Sequence, residues 1–249
     1  MPPMDEFKEE REAILKNASL WKKAKYYIYY YKWYALALLI VFGIAFSWIK
    51  AVVTQKEAAL FVALINSEPK ENAEEFDLAY ASYAEIDLNQ NSVTLDTSMQ
   101  ISSTGADQQS MAASQKLLAY ASVGDIDIFE ANKELFANYA SRSYFLDLRD
   151  ILPDDLLAKY ESHLYYIDRP VLEALTEAEQ GIEDEMDIKT PNPTKPELME
   201  DPIPIGLFVD GLTTLEDYYY IDGRNAVLGI PANTKNPDNA VKFIQFITR

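Results

Sequence analysis

The sequence predicts an α/β protein: a mostly parallel sheet flanked by helices, preceded by one N-terminal transmembrane helix. Two patterns predict it. An uncharged apolar run follows a lysine- and tyrosine-rich collar near the N-terminus, and short apolar runs alternate with amphipathic segments through the rest of the chain. Strands that alternate with helices of that length read as βαβ units, because parallel strands need such crossovers.

The apolar run covers residues 33–53, from Trp33 to Val53, and only Lys50 interrupts it. About 20 helical residues cross a hydrocarbon core of roughly 30 Å. Lys16, Lys22, Lys23, Lys25 and Lys32 precede the run with no acid among them, whereas only Lys50 and Lys56 lie close on the other side. Lysine is retained on the cytoplasmic side, so the N-terminus is expected inside the cell and the bulk of the chain outside. Trp21, Tyr26, Tyr27, Tyr29, Tyr30, Tyr31 and Trp33 suit the inner interface, and Trp48 the outer one. The lysine-bearing region is too long for a cleaved signal peptide, which favours an uncleaved signal anchor. The expected organisation is a cytoplasmic segment 1–32, an anchor 33–53 and an extracytoplasmic domain 54–249, in a single-pass protein of the cell membrane. Phe7, Ile14, Leu15, Ala18 and Trp21 approximate the spacing of an amphipathic helix ahead of the anchor.

Charge is divided unevenly. Residues 1–53 carry a net +3 and the remainder −21, within a total of −18. A domain that acidic is repelled by nucleic acid and by anionic lipid. The chain has no cysteine, which excludes disulfides, thiolate metal sites and cysteine nucleophiles. It has eight glycines and none in a phosphate-cradling spacing. The membrane run contains only Gly43, so it offers no Gly-x-x-x-Gly dimer face.

The elements follow in order. Ala59–Ile65 is almost wholly apolar, as a strand buried on both faces should be. Glu71–Ile86 spaces Phe76, Leu78, Ala79, Tyr83 and Ile86 for a packed helix. Ser92–Ile101 alternates as a second strand, Gln108–Ser122 forms a helix, Asp125–Phe129 a third strand and Ala131–Tyr139 a third helix. Pro153–Tyr160 is a helix opened by proline. Residues 182–204 are rich in acid and proline and read as an exposed connection, because proline suits neither a long helix nor a central strand. Ile203–Val209 and Asn225–Ile230 read as strands, the latter after the turn Asp222-Gly223. Asn236, followed by Pro237, suits the cap of a final helix carrying Ala240, Val241, Phe243, Ile244 and Ile247.

Two patches resemble a known family. Val123-Gly124-Asp125-Ile126-Asp127-Ile128-Phe129, then Leu135–Ala140 and Phe145–Leu152, is similar to bacterial extracellular solute-binding proteins of the sugar-binding type. Gly229–Ile244, beginning Gly229-Ile230-Pro231-Ala232-Asn233-Thr234-Lys235-Asn236-Pro237-Asp238, is similar to that family's closing strand, turn and helix. Together they cover about a fifth of the chain and stand in the family's order. The family normally has two lobes, and its Gram-positive members a lipidated cysteine. This chain has one lobe's worth of sheet and no cysteine, and so resembles small membrane proteins of Firmicutes with a truncated binding-protein domain. The resemblance implies a periplasmic-binding-protein-like fold that captures or senses a small polar solute such as a sugar, alone or with a membrane transporter. The competing expectation is a cell-envelope interaction module that has lost its cleft.

Open α/β sheets bind ligands beyond the carboxyl ends of their strands. That rule selects Asn66 and Ser67 after the first strand, Glu130 after the third, and Asp210 after the strand ending at Val209. Tyr219, within Tyr218-Tyr219-Tyr220, is the aromatic candidate for stacking on a sugar ring. No catalytic constellation emerges. His163 is the only histidine, and its neighbours Ser162 and Leu164 do not build a triad. The acidic run Glu183, Asp184, Glu185, Asp187 lacks the ligand spacing of a calcium loop and reads as a solvated face. No metal or cofactor is expected.

Overall fold

The computed structural model describes residues 19–53, 56–102, 107–179, 188–209, 211, 213–221 and 225–249. The expected N-terminal amphipathic segment, the 183–187 acidic run, Asp210 and the Asp222-Gly223 turn fall largely or wholly outside them. The chain divides into two units, one through Gln55 and one from Lys56 to Arg249.

The described part of the first unit is one helix, α1 (Leu20–Val53, 34 residues). It contains no acidic residue and carries Lys50 in its last turn, where a cation complements the helix dipole. Its Tyr31–Lys50 stretch is long and apolar enough to cross a membrane, and none of that stretch is buried.

The second unit is a three-layer α/β sandwich. In chain order its elements are β1 (Glu57–Leu64), β2 (Glu68–Pro69), α2 (Ala73–Ala84), β3 (Asn91–Asp96), α3 (Gln108–Val123), β4 (Ile128–Asn132) and α4 (Lys133–Ala140). Then come α5 (Asp154–Lys159), β5 (Leu164–Asp168), α6 (Arg169–Glu179), β6 (Pro202–Phe208), α7 (Thr213–Glu216), β7 (Tyr219–Tyr220), β8 (Ala226–Gly229) and α8 (Pro237–Ile247). Six strands form a mixed sheet in the order β3-β1-β4-β8-β6-β5. β1 pairs in parallel with β3 and β4, while β8, β6 and β5 each join antiparallel. Four of the six strands therefore point the same way, and β8 and β5 run against them. β2 and β7 make a separate two-residue ladder.

Alternation along β1 builds both cores, because successive side chains leave opposite faces of a strand. Leu60, Val62 and Leu64 join Phe76 and Tyr80 of α2 and Phe243, Ile244 and Ile247 of α8. Ala63 and Ile65 instead join Leu117 and Ala121 of α3 and Phe136 and Ala140 of α4. Phe76 meets Tyr219, Phe243 and Phe246 edge-on, at 5.8, 5.9 and 5.3 Å between ring centroids. Such edge contacts add to the burial of the rings themselves.

Three expectations change. The third strand runs from Ile128 to Asn132 rather than ending at Phe129, so Glu130 lies inside it. β5 and α6 occupy a stretch in which no element was predicted. Pro202 and Pro204, expected in an exposed connection, open β6. They are tolerated because β8 covers only Leu207 and Phe208 of that strand. At the prolines β6 has β5 alone beside it, with a register slip between Tyr165 and Tyr166, so a missing N–H breaks no ladder on the other side.

Candidate functional site

The first two crossovers leave β1 in opposite directions: β1–α2–β3 goes to one side, and β3–α3–β4 returns past β1 to the other. Where crossovers diverge, the carboxyl ends of adjacent strands leave a crevice. Here the crevice lies beyond β1 and β4, and the local chemistry shapes its walls.

Asn66 ends β1 in the left-handed region, φ 59°, a conformation asparagine tolerates better than most residues. Its Oδ1 accepts from the Ile101 N–H at 2.6 Å, and its Nδ2 donates to the Ile101 carbonyl at 2.9 Å. The Asn66 N–H donates to the Met99 carbonyl at 3.1 Å. This one residue ties the 99–101 segment to the strand end. Ser67 is wholly buried and donates to Glu130 Oε2 at 3.1 Å, while Glu130 also has its side chain inside the fold. On the facing wall, Asn132 ends β4 and caps α4, accepting from the Leu135 N–H at 2.9 Å.

Between these walls is a cavity of about 360 Å³, lined by Asn66, Ile101 and Ser102 on one side and Asn132, Glu134, Leu135 and Asn138 on the other. Its polar groups are amides, a hydroxyl and a carboxylate, with no cation among the described lining residues. Asn138 and Glu134 are exposed on α4 and present a donor–acceptor amide and an acceptor carboxylate at the cavity. Ser102 belongs to a small network at the start of α3. Its hydroxyl and that of Ser110 each donate to Asp107 Oδ2 at 2.6 Å. Those bonds, with one from the Ser110 N–H, hold the Asp107 carboxyl well below the usual range.

Of the five expected ligand residues, Asn66 lines this cavity. Ser67 and Glu130 are buried partners of one another next to it, and Asp210 lies outside the described residues. Tyr219 is 4% exposed and packed on Phe76. Its ring is core, and Tyr220 is the exposed member of the tyrosine run. Asn132 and Asn138 were missed because the strand end was placed three residues early. The N-cap signal at Asn132, a short polar residue directly before a helix, could have found the wall.

The segments 123–129 and 229–238 meet at the opposite, amino end of β4. Asp127 is wholly buried. Its carboxylate accepts from the Phe61 N–H at 2.9 Å, the Thr234 hydroxyl at 2.5 Å and the Asn236 N–H at 3.1 Å. Asn236 Nδ2 lies 3.2 Å from the same carboxylate and 3.1 Å from the Ala58 carbonyl. It makes no side-chain cap to α8, contrary to expectation, because β1 and Asp127 already use its amide. Lys235 pairs with Asp125 at 2.6 Å, and Asn233 Nδ2 donates to the Ala121 carbonyl at 2.7 Å. These two segments form a clasp between the sheet and the C-terminal turn, at the end of β4 opposite the cavity.

A second cavity, of about 450 Å³, lies along β5, where Lys133, Ser141, Asp168 and Asn192 join an apolar wall that includes Val171 and Leu175. Ser162 Oγ is 3.1 Å from His163 Nδ1, and both residues lie outside the core. Among the described residues, no group of three His, Cys, Asp or Glu side chains is placed to hold a metal ion. No family model, curated protein or solved structure matches the chain.

Proposed function

We propose that this is a membrane-anchored, extracytoplasmic solute-binding domain that captures or senses a small uncharged polar molecule without catalysis. The cavity at the divergence of β1 and β4 carries the reading. Its amide, hydroxyl and carboxylate lining matches the alternating donors and acceptors of a polyol or sugar. Among the described residues its lining holds no cation, which disfavours an anionic solute. Tyr31–Lys50 supports the anchor, and the collar of lysines before it supports an outward-facing domain.

The test is a thermal melt of the full chain in nanodiscs, followed by far-UV circular dichroism, against monosaccharides, oligosaccharides and amino acids. A concentration-dependent rise of a few degrees supports the reading, because a ligand that binds only the native state raises its apparent stability. A flat response across the panel counts against it.

One observation favours the second reading, a cell-envelope interaction module. Met111 and Leu118 lie two turns apart on α3 and are 54% and 64% exposed. A protein partner covering α3 predicts that Met111→Glu with Leu118→Glu leaves the fold intact and abolishes cross-linking to that partner in intact membranes.

A further inference from the structure

Helix α1 is longer than a membrane requires. Tyr31–Lys50 alone supplies 20 residues, enough for a hydrocarbon core of about 30 Å. Leu20–Tyr30 precedes it without a break in the helix, and at about 1.5 Å per residue it adds roughly 16 Å. That exceeds the headgroup layer, which is about 5–8 Å deep on each side. A helix continuous with the span is thereby held at headgroup depth and beyond.

The residues placed there have one charge sign. α1 has no acid, while Lys22, Lys23, Lys25 and Lys32 all fall in its first four turns. Lys25, Tyr29 and Lys32 are four and three residues apart and share a face, with Trp21 and Trp33 extending that face at each end. All five are exposed. The Lys32 ammonium lies 5.1 Å from the centre of the Tyr29 ring and 5.9 Å from that of Trp33. An ammonium over ring faces keeps N–H donors for phosphate oxygens, and the rings themselves settle at the headgroup boundary.

We propose that the Trp21–Lys25–Tyr29–Lys32–Trp33 stripe is a binding surface for anionic phospholipid headgroups. Its lysines take the phosphates and its rings wedge at the glycerol level. The partner follows from charge complementarity and from depth: a cationic stripe fixed at the headgroup layer meets lipid phosphate first. Each lysine near an anionic leaflet shifts the local lipid equilibrium by a factor of roughly five. The proposal rests on the anchor reading of Tyr31–Lys50, and the experiment separates the two.

Trp21, Trp33 and Trp48 are the only tryptophans in the chain, and all lie in α1, so tryptophan emission reports on this helix alone. Full-length Trp48→Phe protein is reconstituted into phosphatidylcholine vesicles containing the same minor fraction of brominated phosphatidylcholine or brominated phosphatidylglycerol. Brominated phosphatidylglycerol is expected to quench about twofold more strongly. The difference should collapse in high salt and in the Lys22→Gln, Lys25→Gln, Lys32→Gln variant, and survive when the same lysines become arginine. Equal quenching by both lipids overturns headgroup selection and leaves the anchor standing. No quenching by either overturns both. Loss of the difference on adding excess glycerol phosphate also overturns the proposal, by showing a site for free phosphate rather than for lipid.

Discussion

Gly124 sits against the Asn233 carbonyl so closely that a Cβ built on it would lie 2.2 Å from that oxygen. The same glycine closes α3 in the left-handed region, φ 70°, where a side chain costs about 1–2 kcal/mol by itself. Both demands fall where the 123–129 and 229–238 segments meet.

Gly124→Ala should therefore destabilise the second unit by about 3 kcal/mol or more, the backbone penalty plus displacement of the 233–236 turn. Urea unfolding of the full chain in detergent, followed by circular dichroism, measures it. A loss below about 1 kcal/mol would mean that the turn yields freely.

The buried and exposed halves of the clasp should differ sharply. Asp127→Ala strands the Phe61 and Asn236 N–H groups and the Thr234 hydroxyl, and should cost about 3 kcal/mol. Lys235→Ala breaks the exposed pair with Asp125 and should change stability by less than about 0.5 kcal/mol. The same unfolding experiment distinguishes them.

Asp77 of α2 makes stability depend on pH. Its Oδ1 is buried without a hydrogen-bond partner among the described residues. Burial, with Glu74 one turn earlier, pushes its pKa up to about 6. A raised carboxyl favours the folded state while protonated. Its penalty therefore develops as pH rises from the ordinary carboxylate range through about 6, and is complete above that. Asp77→Asn should raise the melting temperature at pH 7.5 and lose its advantage near pH 4. Because the group is partly solvated, the gain is expected at about 1 kcal/mol, well under the full pKa shift. Parallel melting curves against pH test the sign.

Asn138 is exposed at the cavity mouth, so Asn138→Trp should fill the cavity and leave the core intact. The expected outcome is an unchanged melting temperature without solute and loss of any solute-dependent rise. A rise that persists would move the binding site elsewhere.

The parallel half of the sheet was legible because its strands and helices obey simple periods. Leu60, Val62 and Leu64 alternate with Ala63 and Ile65, and α2 and α3 carry their core residues at helical spacing. What escaped were places where polar residues are used inside. Glu130 and Asn132 lie within β4, and their polarity pulled the expected strand end back to Phe129. β5 was hidden because Tyr165 and Tyr166 follow the 3₁₀ turn Glu161–His163 without a turn residue that announces a strand. β6 was read as Ile203–Val209, but Pro202 and Pro204 were also placed in the exposed connection, since pairing on one side alone is a tertiary fact no local pattern records. The cavity was legible by rule at Asn66 and illegible at Asn138, which only the turn of α4 brings opposite.

β8 lies between β4 and β6 and is the only strand that pairs with both, yet it is the last strand of the sheet to leave the ribosome. Until residues 226–229 emerge, the β3-β1-β4 and β6-β5 pieces are two separate sheets, each with a naked apolar edge. Completion of this sheet thus waits for the synthesis of β8, and a nascent chain shortened ahead of β8 presents chaperones and proteases with two unmatched halves rather than a smaller version of the fold.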